Sequence, residues 1–155
     1  MTPKEKKLPS PTHSWAAIVG LFWGLAIAAW ISPHDEYFLG NFTTFWLPHA
    51  AVLSILLLLK AQRAVFAGAA IAMALYLSLF SLWYFKGGAA DSTAMVWLGY
   101  FFSFPGALIG AVLAIFTKSP TSRSIAVLIA FGWVALGIAV NQTIICSTVI
   151  YCLGG

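Results

Sequence analysis

Charge is what this sequence has least of. Twelve of its 155 residues are charged, eight Lys or Arg and four Asp or Glu. That is 8%, where a soluble domain carries about 25%. Too little charge is present to coat a water-facing surface, which excludes a soluble monomer. Disorder is excluded by the opposite imbalance. It needs low hydrophobicity and high charge, whereas 61% of this chain is hydrophobic and its mean hydropathy is +0.93. Also missing are a phosphate-binding glycine loop, a nucleophile elbow, a zinc-ligand spacing and any internal repeat. The sequence therefore offers no catalytic residue, no cofactor site and no metal site, and it leans away from an enzyme. Cysteine is scarce, with only Cys146 and Cys152. Six apart on a straight helix, they point about 120° out of alignment. Two free, buried thiols are expected, although an oxidising compartment permits a bond.

What is present is long apolar runs. A transmembrane helix needs about 20 mostly apolar residues. Five stretches qualify, at about 14–32, 42–59, 64–85, 94–117 and 124–151. The fold expected is all-α: a polytopic integral membrane bundle of five transmembrane helices. Residues 1–13 form a basic tail and 14–155 a single transmembrane domain. The last run exceeds a bilayer core of about 30 Å and should tilt, kink or protrude. The first run also has features of a cleavable leader, with Lys4, Lys6 and Lys7 ahead of it and a small-x-small site at Ala26-Ile27-Ala28. Its late start and its three tryptophans, Trp15, Trp23 and Trp30, favour a retained anchor.

Lys and Arg mark the cytoplasmic side of a membrane protein. Lys4, Lys6, Lys7, Lys60, Arg63, Lys118 and Arg123 fall on one side of five crossings. Only Lys86 falls on the other, with Asp35, Glu36 and Asp91. The N-terminus is expected inside and the C-terminus outside, in a bacterial inner membrane. No helix or loop gathers these charges into a patch, so nucleic acid is not an expected partner.

Membrane helices associate through close packing of small residues and a few hydrogen bonds. Ala16, Gly20, Gly24, Ala28 and Ser32 form a ridge on the first run. Gly99, Ser103, Gly106, Gly110 and Ala114 form one on the fourth, and Ala64, Gly68 and Ala72 one on the third. They predict contacts within the monomer, or a seam for a partner or a second copy. Pro105 lacks an N–H and predicts a kink in the fourth run, its freed carbonyl met by Ser103 or by a neighbouring helix. Trp30, Trp46, Trp83, Tyr84, Trp97, Tyr100 and Tyr151 gather toward the outer boundary. That is where a headgroup belt belongs, or an aromatic surface for a partner protein or lipid-like ligand.

Polar residues are few enough to take singly. His34, Asp35 and Glu36 share an outer loop, with His49 placed one turn into the second run. No paired spacing supports a metal or an acid–base pair among them. His13 is assigned to the inner interface. No ionisable residue is placed near mid-span, which argues against a stand-alone proton-coupled transporter. Asn141, Gln142 and Thr143 are the deepest polar group. At least one of the two amides should face protein, because an amide facing lipid is unfavourable. Asn41-Phe42-Thr43 and Asn141-Gln142-Thr143 match glycosylation acceptors, but the second lies inside the membrane.

Trp46-Leu47-Pro48-His49-Ala50, followed by Leu57 to Leu59, Arg63, Phe66 and Gly68, resembles one hairpin of the membrane-associated sensor domains of bacterial signalling enzymes. It covers about 25 residues, and no family membership is drawn from it. Two functional classes are expected. The first is an accessory subunit or an immunity- or exclusion-type factor, binding another membrane protein or a second copy through Trp46, His49, Trp83, Trp97, Asn141 and Gln142. The second is a small transporter or channel subunit, or a membrane enzyme, with an outer aromatic site for a lipid-like or small solute. Membrane lipid is a partner in either case.

Overall fold

The computed structural model describes residues 12–88, 93–117 and 122–148, and every element in them is helical. Helix α1 spans Thr12–Ile31, α2 Phe38–Leu58 and α3 Arg63–Trp83. A π-helical turn, Tyr84–Gly88, extends α3. Helix α4 spans Thr93–Phe102, α5 Phe104–Phe116 and α6 Arg123–Thr148. The segments Phe38–Leu58, Arg63–Lys86, Leu98–Phe116 and Arg123–Thr148 are each long and apolar enough to cross a bilayer. Helix α1, 20 residues without an Asp, Glu, Lys or Arg, is about 30 Å long and makes a fifth. Large apolar side chains such as Phe22, Leu58, Phe116 and Leu128 stand exposed, a surface that lipid covers and water would not tolerate. The expected basic tail and Cys152 lie outside the described residues, except that α1 begins at Thr12.

The expected fourth run is two helices. α4 and α5 meet at Ser103, two residues before Pro105, whose missing N–H interrupts the ladder. Ser103 Oγ donates to the Tyr100 carbonyl at 2.6 Å, and Asn141 Nδ2 on α6 donates to the Phe102 carbonyl. Helix α2 contains Pro48 yet continues through it. It also begins four residues before the expected Phe42. The polar stretch there is helical because its side chains bond back to the preceding turn: Asn41 to the Tyr37 carbonyl, Thr43 to that of Leu39 and Thr44 to that of Gly40.

Helix α3 is the hub, packed on α1, α2, α5 and α6. Eleven of its 21 residues are buried, against three of the 26 in α6, which lies at the periphery. Glycines set the closest approaches. A Cβ on Gly20 would lie 2.9 Å from the Ala70 and Ile71 main chain of α3, and one on Gly68 would lie 2.7 Å from Val127 and Phe131 backbone atoms of α6. On α5, Gly106 abuts the main chain of Gly137 and Gly110 that of Trp133. These opposed pairs, 106 with 137 and 110 with 133, show that α5 and α6 run antiparallel. The turn between α2 and α3 closes on Lys60, which takes a positive φ of 50° while its N–H reaches the Leu57 carbonyl and that of Ala61 the Leu56 carbonyl.

Candidate functional site

His49 lies eleven residues from the start of α2 and nine from its end. At 1.5 Å per residue that is the middle of the span. The expectation that it sits one turn into its helix is corrected: His49 is about three turns from the start of α2. His49 shares a helix face with Phe45, Val52 and Leu56, all buried at four- and three-residue spacing. Its ring is 1% exposed.

Four helices build the surroundings of that ring. Trp46, one turn earlier and half-buried, stacks on it with centroids 5.1 Å apart and planes at 15°. From α1, Gly24 faces both rings: a Cβ there would lie 3.1 Å from Trp46, 3.2 Å from His49 Cδ2 and 3.3 Å from its Nε2. From α4, the Tyr100 hydroxyl stands 3.3 Å from His49 Nδ1 and donates to the Phe45 carbonyl at 3.2 Å. From α3, the Met73 main chain faces the ring, yet Nε2 is buried with no hydrogen bond of acceptable geometry.

The polar track continues away from His49. Tyr100, 2% exposed, stacks on Tyr76 at 5.7 Å and 12°. The Tyr76 hydroxyl donates to Gln142 Oε1 at 3.3 Å, and Gln142 Nε2 reaches Cys146 Sγ at 3.6 Å. Phe80 packs across both tyrosines. Four helices thus contribute to one line of polar and aromatic groups: His49 from α2, Tyr100 from α4, Tyr76 from α3 and Gln142 from α6. Cys146 is disulfide-bonded, which corrects the expectation of two free thiols. The periodicity argument against a bond assumed one straight helix through both cysteines; α6 is described to Thr148, and Cys152 lies outside the described residues.

The other expected contact residues scatter. Trp83 packs on Phe80 and is 41% exposed. Trp97 belongs to α4, with its side chain outside the described residues. Asn141 serves the α4–α5 break and also lines an apolar groove of about 250 Å³ between α5 and α6, beside Gly106, Gly110 and Gly137. Tyr100, assigned to a boundary belt, is instead a core residue. Asp35 caps the α1–α2 loop, its Oδ1 accepting the Tyr37 N–H at 2.9 Å. Among the described residues no three His, Cys, Asp or Glu side chains gather to hold a metal. Sequence reasoning passed over Tyr76 entirely, although a tyrosine at the centre of an apolar run was the available signal.

No family model, no curated protein and no solved structure matches the chain.

Proposed function

We propose that this is a small multi-pass membrane protein that binds a small or lipid-like solute at mid-depth around His49, as a carrier or channel subunit or a membrane-embedded binding protein. The observation that supports this reading is the buried, unpaired Nε2 of His49 at the centre of α2. An ionisable side chain at that depth is expensive and is usually kept for a task. An unpaired buried acceptor adds a penalty of about 1–3 kcal/mol. Features that a partner-binding protein would present outward are used internally: Gly20, Gly24, Gly106 and Gly110 face other helices of the same chain, and Asn141 and Gln142 bond within it. Purified protein in liposomes, without a partner, should speed the passage of small neutral solutes, followed by light scattering. His49→Phe should abolish the effect. Equal rates for the wild type, His49→Phe and empty liposomes would overturn the reading.

Partner binding within the membrane, by an accessory or immunity-type factor, is the second reading. The α5–α6 groove, open beside Ile109, Leu113 and Ile144, favours it. A stoichiometric partner purified from native membranes, lost on Ile109→Trp, would support it. We further propose a bacterial inner-membrane location with the N-terminus inside, on the strength of the basic residues at the α2–α3 turn and ahead of α6. A C-terminal alkaline phosphatase fusion should be active and one placed after Arg63 silent. Activity at Arg63 would overturn the orientation.

A further inference from the structure

Helices α5 and α6 use their glycines on each other. Gly106 abuts the main chain of Gly137, and Gly110 that of Trp133. Side chains are missing along that seam, and larger ones stand on either side of it. Ile109 and Leu113 rise from α5, and Leu136, Val140 and Ile144 from α6, each about half exposed. The result is the groove of about 250 Å³, with a glycine floor and aliphatic walls. On α6 it runs from Trp133 to Ile144, about 16 Å along the helix axis. That is half of a hydrocarbon core of about 30 Å, the depth of one leaflet. Because α6 spans Arg123–Thr148, the groove begins near its midpoint and lies toward its C-terminal end.

We propose that this groove binds one acyl chain of a phospholipid, from the leaflet at the C-terminal end of α6. The inference goes beyond the reading of His49, does not depend on it, and competes with partner binding for the same groove. Three observations select the occupant. The first is polarity. None of the described lining residues is charged, and Asn141, the one amide among them, is engaged by the Phe102 carbonyl. The second is size. An apolar cavity of about 150 Å³ holds benzene, so this groove has room for about ten carbons. A helix about 10 Å across needs about 1,200 Å³ over the same length. The third is approach. Membrane helices associate where small residues let their backbones meet, and here the glycines already face each other across the seam. The aliphatic walls hold a further helix off, whereas a chain one methylene wide fits between them. With no charge at hand, the tail and not the headgroup sets the affinity.

The test places full-length protein at one copy per lipid nanodisc, with a trace of phosphatidylcholine carrying a diazirine midway along one tail. After irradiation, mass spectrometry of the digest maps the label. Labelling of 106–113 and 133–144 should be at least fivefold denser than at the exposed Phe22 of α1 and Leu79 of α3. Labelling in simple proportion to exposure overturns the proposal. Phosphatidylglycerol with the same tail should label the groove within twofold of phosphatidylcholine, and a larger difference overturns recognition by the tail. Val140→Trp adds bulk to an exposed wall and should cut groove labelling at least fivefold. Leu128→Trp, exposed on the same helix outside the groove, should leave it unchanged. Undiminished labelling in Val140→Trp overturns the proposal. In nanodiscs holding two copies the groove should still be labelled. Loss of the label there gives the groove to a second copy, and loss to a partner retained from native membranes gives it to that partner; either overturns the lipid reading.

Discussion

At the end of the bundle that carries the α2–α3 turn, half of the clustered buried side chains are alanine: Ala69, Ala70, Ala72, Ala107, Ala111, Ala114 and Ala130. At the other end the buried cluster is Ala28, Ile31, Phe45, Leu77, Phe80 and Tyr100, half of it aromatic. The first region is held by main chains brought close enough for small side chains to interlock. The second is held by rings and by hydrogen bonds that run from helix to helix. Lipid competes equally well for apolar surface, so close approach and polar contacts are the two means open to a membrane bundle. This chain divides them between its ends. Close approach leaves no room for a polar atom. Ring packing leaves one, and the unpaired nitrogen of His49 lies on that side.

The comparison breaks most visibly at Gly110. Gly110→Leu drives a side chain into the Trp133 main chain, and we expect a loss of about 3 kcal/mol or more, read as collapse of the unfolding midpoint in detergent. Asn141→Leu removes the amide from the Phe102 carbonyl. It should cost about 1–2 kcal/mol, measured the same way, with insertion into the membrane intact. Lys60→Gly relieves the left-handed backbone at the α2–α3 turn and should stabilise by about 1 kcal/mol. The smallest stability change is expected for His49→Phe, within about 1 kcal/mol of the wild type, because an unpaired acceptor is exchanged for apolar ring. A large loss there would mean that the ring end is held as tightly as the alanine end, and the contrast would dissolve.

The spans were legible because apolar runs of this length have few alternatives to crossing a bilayer. The interruption of the fourth was legible because Pro105 has no N–H to give. The place of His49 was misjudged even within 42–59, where it lies seven residues, about two turns, past Phe42, and α2 begins four residues earlier still. Asn41, Thr43 and Thr44 look like loop residues until their side chains bond to carbonyls one turn earlier. The link from Tyr100 through Tyr76 to Gln142 joins three helices and 66 positions of sequence, and no local pattern encodes which tyrosine turns inward. Tyr100 sits beside a boundary and reads as a belt residue; only the packing of α4 on α3 shows it to be core.

The broken fourth span also bears on how the chain is made. α4 has ten residues and α5 thirteen, about 15 and 20 Å, and neither alone crosses a hydrocarbon core of about 30 Å. The Phe102 carbonyl between them is met by Asn141, which leaves the ribosome some forty residues later. A nascent chain stopped short of Asn141 has its span but not the amide that closes it. Such a chain is expected to stay cross-linkable to the insertion machinery at Phe102, and to be released into lipid once synthesis has passed that asparagine.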